Sequence, residues 1–88
     1  MLNLFSVFDW TVNEVALWAQ DDLKLDQNSV FDLIKKNVTG RILYHLSSSE
    51  EASQLVGSAN SEAFYKAVER VRGRYLKYHN QINLTVYI

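Results

Sequence analysis

His45 and His79 are the two side chains in this chain best suited to acid–base or metal chemistry near neutral pH. Neither has a cysteine or an acidic residue at metal-ligand spacing, so we expect no metal centre. The serines stand where helix caps are expected, and a serine nucleophile would also need a base and an orienting group. Gly40, Gly57 and Gly73 lie too far apart to form a phosphate-binding loop. The sequence therefore predicts a protein that is not an enzyme and binds no cofactor.

The charged residues are divided unevenly between the two ends of the chain. The first 34 residues hold six acids against Lys24 alone, whereas residues 61–88 hold five bases against two acids. The net charge is only −1, so the whole chain has no general attraction to nucleic acid or membrane. For charges considered by themselves, a solvated surface is the ordinary interpretation, because exposed ion pairs stabilise little.

The composition is that of one small folded domain. The chain has 88 residues, of which 48% are hydrophobic, and it has no cysteine. One modest core without disulfides is therefore expected. The lack of cysteine suits an intracellular protein, cytoplasmic or nuclear. No apolar run approaches the roughly 20 residues that cross a membrane, and the first eight residues lack the basic start of a signal peptide.

The first two helices are predicted from caps and periodicity. Thr11 and Glu14 have the spacing of a capping box, which predicts a helix over 12–20. Its predicted inward side is made by the following residues: Val12, Val15, Ala16, Trp18 and Ala19. A second helix is predicted over 27–36, with Lys35 and Lys36 at its favourable C-terminal end. Its inward residues are expected to be Val30, Phe31 and Ile34.

Three further helices are expected in the second half of the chain. Thr39 is expected to cap a third helix that ends at Leu46, with Ile42, Leu43 and Leu46 buried. Ser47 or Ser48 is expected to cap a fourth helix that ends at Gly57. The last helix is predicted over 61–79, with one continuous apolar face. That face consists of Phe64, Val68, Val71, Tyr75 and Tyr78.

The two ends of the chain follow a different pattern. Apolar and polar residues alternate in the tail from Gln81 to Ile88, which is typical of a strand. We therefore treat 80–88 as a strand-like tail, 1–8 as an N-terminal apolar segment and 9–79 as the folded domain. An unpaired strand exposes its amides, so the tail is expected to pair with the N-terminal segment, another copy or a partner.

The front half of the domain carries a spacing found in one known family. Its residues are Trp10, Thr11, Glu14, Val15, Trp18, Leu23, Leu25, Phe31, Asn37, Val38, Gly40, Leu43 and Leu46. This pattern resembles the sterile alpha motif (SAM) domain, and the stretch from Trp18 to Leu25 also looks like the related pointed domains. The resemblance covers about residues 9–78. It implies an all-α, five-helix SAM-like bundle with a long C-terminal helix, to which this chain adds an extended C-terminal segment.

The resemblance also implies a function. SAM-like domains often bind protein partners head to tail, with an acidic or mixed surface on the middle helices docking on the start of a neighbour's last helix. Such a contact is heterologous and builds chains. In this sequence the acidic surface corresponds to Asp21, Asp22, Asp26 and Asp32. The last-helix surface corresponds to Asn60, Lys66, Arg70 and Arg74. The expected role is an adaptor or scaffold module in a larger signalling or regulatory protein, with itself or another SAM-like domain as partner.

Three residue patterns also allow other interpretations. The tryptophans could form a ligand cage, but their capped helical spacing favours packing in the core. The basic cluster at 70–77 could contact phosphates, as some SAM-like domains bind RNA hairpins, although nearby acids make nucleic acid the weaker alternative. Asn37 and Asn83 match the glycosylation sequon and are interpreted as chance matches.

Overall fold

The computed structural model describes residues 7–73, and every regular element within this range is helical. The all-α prediction is thereby confirmed. The chain enters through a 3₁₀ turn at Val7–Asp9. The helices are α1 (Val12–Asp21), α2 (Gln27–Lys35), α3 (Gly40–Tyr44), α4 (Ser49–Val56) and α5, which covers 61–73. The predictions for residues 1–6, for Arg74, Tyr75 and Tyr78 and for the tail lie outside the described residues.

Helix α1 begins as its sequence predicts. The Thr11 hydroxyl accepts a hydrogen bond from the Glu14 amide at 3.2 Å, and the Glu14 carboxylate accepts one from the Thr11 amide at 3.0 Å. The first turn is therefore closed by its own residues. The predicted inward side of α1 is buried at Val15, Ala16, Trp18 and Ala19. Val12, at the start of the helix, is only half-buried.

The prediction for the inward side of α2 was partly wrong. Val30 is buried as expected, but Phe31 is 51% exposed and Ile34 is 40% exposed. Ser29 and Leu33 face the core instead, one turn apart. Hydrogen bonds explain why Ser29 can be buried. The Ser29 hydroxyl donates to the Asp26 carboxylate at 2.7 Å and accepts from the Asn60 side-chain amide at 2.9 Å. A satisfied hydroxyl is admissible in the interior, so the helix can turn Leu33 inward.

Helix α3 is shorter than predicted and ends at Tyr44 rather than Leu46. Leu43 and Leu46 are buried, but Ile42 is 41% exposed, which corrects the prediction that it is inward. Thr39 occupies the cap position without a side-chain capping bond. The Arg72 guanidinium donates to the carbonyls of Tyr44 and Leu46, so a side chain from α5 completes the end of this helix.

Gly40 is required by a close approach between the start of α3 and the turn before α1. Its amide donates to the Trp10 carbonyl at 2.9 Å. A Cβ at this position would lie 1.7 Å from the Val7 carbonyl oxygen and 2.9 Å from the Trp10 Cβ. No real side chain fits these distances, so glycine allows residues 7–10 to pack against α3.

Helix α4 has the predicted cap and stop. Of the two candidate serines, Ser48 is the cap, and its hydroxyl accepts from the Glu51 amide at 3.2 Å. The Glu51 carboxylate accepts in turn from the Ser47 amide at 2.7 Å. Gly57 ends the helix with φ +85°, a conformation that favours glycine.

The core is centred on three aromatic side chains from different parts of the chain. The Trp10 and Trp18 rings lie 5.5 Å apart between centroids, and the Trp18 and Phe64 rings 5.7 Å apart. All three are nearly or fully buried, and we refer to Trp10, Trp18 and Phe64 as the aromatic seam. On α5, Val68 and Val71 continue the buried face as predicted. The tryptophans are therefore core residues rather than a ligand cage.

Candidate interaction surfaces

The four acids predicted to bind a partner lie around α1 and α2 but differ in what they do. Asp21 and Asp22 are exposed at the end of α1, and Asp32 is half-buried on α2. Asp26 caps α2, where its carboxylate accepts from the Ser29 amide at 3.2 Å. The Asp26 carboxylate therefore stabilises the start of α2 in this chain.

Asp26 also belongs to a polar cluster that joins three elements. Its Oδ1 atom accepts from the Ser29 hydroxyl and from the Asn60 side-chain amide, the latter at 3.2 Å. The Val56 carbonyl at the end of α4 lies 3.4 Å from the same hydroxyl. The hydrogen bonds from the Ser29 side chain and backbone lower the pKa of Asp26. Asn60, which is also predicted to bind a partner, connects the start of α5 to the start of α2 within this chain.

The predicted last-helix surface is exposed on α5. The Lys66 ammonium lies 3.4 Å from the Glu62 carboxylate, in a pair whose side chains are mostly exposed. Arg70 lines a small depression of about 130 Å³ together with Asp22 of the acidic set. Asp22 and Arg70 of the same molecule therefore line one depression without forming an ion pair, and Asp21 is not among its lining residues.

Within the basic cluster on α5, the Arg72 side chain is engaged with other parts of the chain. Besides its two carbonyl acceptors, the Arg72 guanidinium lies over the Tyr65 ring at 5.9 Å from the centroid. A guanidinium held in this way has fewer N–H groups left for a phosphate. Arg70 and Lys66 are the exposed cations of this helix within the described residues.

Sequence reasoning missed three exposed apolar side chains on α1 and α2. Leu17 on α1 is 49% exposed, and Phe31 and Ile34 are the exposed apolar residues of α2. We call Leu17, Phe31 and Ile34 the open face. A groove of about 360 Å³ is lined by Gln20, Leu25, Gln27, Val30, Phe31 and Ile34. Leu17 precedes Gln20 by about one turn of α1, which places it on the side of α1 next to this groove. A signal was available: α2 carries four large apolar residues among nine, more than one buried stripe of so short a helix accommodates.

His45 lies beside two aromatic rings. It follows the last residue of α3, is exposed and lies edge-to-face with the Phe8 and Tyr44 rings. No group of three potential metal ligands occurs among residues 7–73. Within the same range, no helix is both long and apolar enough to cross a membrane.

Comparison with protein-family models, with curated proteins and with solved structures finds no match for this chain.

Proposed function

We propose that this domain is a protein–protein interaction module that associates with itself or with a similar domain by head-to-tail docking. Its role would be that of an adaptor or scaffold in a larger signalling or regulatory protein. The observation that carries the proposal is the placement of charge. Asp21 and Asp32 have no hydrogen bond or ion pair through their carboxylates within residues 7–73, while Lys66 and Arg70 stand exposed on another helix.

The available charges define the two sides of the contact. Asp26 and Asn60 are hydrogen-bonded to each other, and Asp22 lines the same depression as Arg70. Asp21 and Asp32, neither of which lines that depression, therefore provide the acidic side. Lys66 and Arg70 provide the basic side. Complementary charges of this kind steer encounter and set orientation more than they add affinity. Because the two sides are different surfaces, repeated docking would extend a chain of copies.

RNA binding through α5 is the weaker alternative. The engagement of Arg72 removes one cation from the phosphate-contacting set, and Glu62 and Glu69 lie on the same helix. Retention of an RNA hairpin that falls steeply with added salt would support this alternative.

The head-to-tail proposal is tested with variants that each block one side. Asp21→Asn with Asp32→Asn removes the acidic side, and Lys66→Gln with Arg70→Gln removes the basic side. Asparagine and glutamine remove charge without adding the opposite charge, so no new attraction is created. Sedimentation velocity is measured for each variant alone and for their equimolar mixture.

We expect each variant alone to self-associate about tenfold more weakly than the wild type, and the mixture to form a one-to-one head-to-tail complex that does not extend into a chain. Glu50→Gln, on the exposed side of α4, is the matched control and should behave as wild type. Unchanged sedimentation of both blocked variants would contradict the proposal.

A further inference from the structure

We propose that two copies of this chain associate through the open face in a symmetric contact, separate from head-to-tail docking. The starting point is the chemistry of Leu17, Phe31 and Ile34, which leave roughly half of their side-chain area in water. Association would remove that apolar area from water, which is the main driving force for most protein contacts.

The charges at the borders of the open face favour a second copy as the occupant. Asp21 follows Leu17 by one helical turn, and Lys35 follows Phe31 by one turn. Both are exposed, and neither forms an ion pair within residues 7–73. A partner of uniform charge would be attracted at one border and repelled at the other. A second copy related by a twofold axis would set Asp21 against Lys35 twice.

The exposed surface of α5 is a poor match for the open face. Its exposed charged residues within the described range are Glu62, Lys66, Glu69 and Arg70. Placing these groups against Leu17 and Phe31 would remove water from charges without providing hydrogen-bond partners, which is unfavourable. The two contacts share Asp21 but differ in the surface that meets it, which is α5 in one and the open face of a second copy in the other. Changes at Lys66 and Arg70 therefore affect only head-to-tail docking, and changes at Phe31 and Ile34 affect only the symmetric contact.

The symmetric contact is expected to be weak and closed. Three large side chains and their borders form a small patch compared with the roughly 800 Å² that each partner buries in a stable complex. A contact between identical faces is complete at two copies, whereas head-to-tail docking continues to grow. The stoichiometry therefore distinguishes the two.

The first experiment isolates the symmetric contact. Sedimentation equilibrium is measured on the Lys66→Gln, Arg70→Gln protein, in which head-to-tail docking is blocked, and is expected to approach two copies with increasing concentration. Adding Phe31→Ser and Ile34→Ser should raise the dissociation constant at least about tenfold. Adding Ile42→Ser instead is the matched control, because Ile42 on α3 is as exposed as Ile34, and this change should leave the constant within about twofold.

The second experiment tests the twofold arrangement by exchanging its border charges. In the Lys66→Gln, Arg70→Gln protein, where head-to-tail docking is blocked, Asp21→Lys and Lys35→Asp should each weaken the dimer at least about threefold, and the two together should restore it. Restoration of the dimer by Lys35→Asp in the Asp21→Lys protein would distinguish this contact from head-to-tail docking, in which Lys35 has no role. The proposal is overturned by a protein that stays monomeric, by a dimer that tolerates the Phe31 and Ile34 changes, or by failure of the double exchange to restore association.

Discussion

Trp18 and Phe31 are large aromatic residues on neighbouring helices, yet they have opposite environments. Trp18 is 2% exposed and packs between Trp10 and Phe64, whereas Phe31 is 51% exposed. The difference does not come from residue type. Trp18 on α1 meets Phe64 of α5, whereas Phe31 on α2 borders an open groove beside Gln20 and Leu25. The aromatic seam therefore stabilises the fold, whereas the open face is exposed, as the proposed symmetric contact requires.

The sharpest test of this comparison replaces one phenylalanine from each region by alanine. Phe64→Ala should lower the free energy of unfolding by about 3–5 kcal/mol, because it leaves a cavity in the core. Phe31→Ala should change it by less than about 1 kcal/mol, because its ring is half in water already. Urea denaturation followed by tryptophan fluorescence measures both. Similar losses for the two variants would show that the open face belongs to the core of this chain.

A second test concerns the glycine that lets Trp10 reach the seam. Gly40→Ala should destabilise the protein by about 1–3 kcal/mol or more, because the new methyl group would overlap the Val7 carbonyl. Gly73→Ala is the control, since its Cβ would meet nothing within 4 Å. In helix α5 the control should be neutral or up to about 1 kcal/mol stabilising. Thermal unfolding of both proteins measures the two changes in stability. A Gly40→Ala protein as stable as the wild type would refute the close approach.

A third test examines Ser29, the buried polar residue on the side of α2 that faces the core. Ser29→Ala should destabilise by about 1–2 kcal/mol, because the Asn60 amide loses an acceptor within the cluster. The control is Ser53→Ala. The Ser53 hydroxyl donates to the Glu50 carbonyl within α4, and its removal should change the free energy of unfolding by less than about 0.5 kcal/mol. Equal stability of the two variants in urea would mean that Ser29 does not anchor α2.

The smallest effect is a dependence of stability on pH. Hydrogen bonds from Ser29 lower the pKa of Asp26 below its ordinary 3.8, and hydrogen bonds from Ser47 lower the pKa of Glu51 below its ordinary 4.5. A lowered folded-state pKa stabilises the protein above the ordinary value, and the contribution is lost as the pH falls through the folded value.

Stability is therefore expected to fall as the pH drops below these two values. Asp26→Asn should flatten the Asp26 part of this dependence, since asparagine also caps helices but does not titrate. Asp32→Asn is the control, because the Asp32 carboxylate accepts no hydrogen bond within residues 7–73. Urea midpoints measured across the acid range test the difference, and identical pH profiles for the two variants would refute it.

Local features of this fold could be predicted because the atoms that form them are neighbours in the chain. The capping box of Thr11 and Glu14, the Ser48 cap and the Gly57 stop each involve residues within four positions of one another. The buried face of α5 followed from its regular spacing. The acidic and basic sets were identified, but their contacts within the chain were not, because Asp26 and Asn60 are 34 positions apart.

The amino-acid sequence by itself determined that the described chain is helical, where α1 and α4 begin, and that the tryptophans pack in a core. Only the tertiary structure decided which side of α2 is buried, that Arg72 completes the end of α3, and that Phe31, Ile34 and Ile42 are left exposed. The physical reason is the range of the interactions. Caps and periodicity act over one or two helical turns, whereas the rotation of a helix depends on partners that distant segments bring to it.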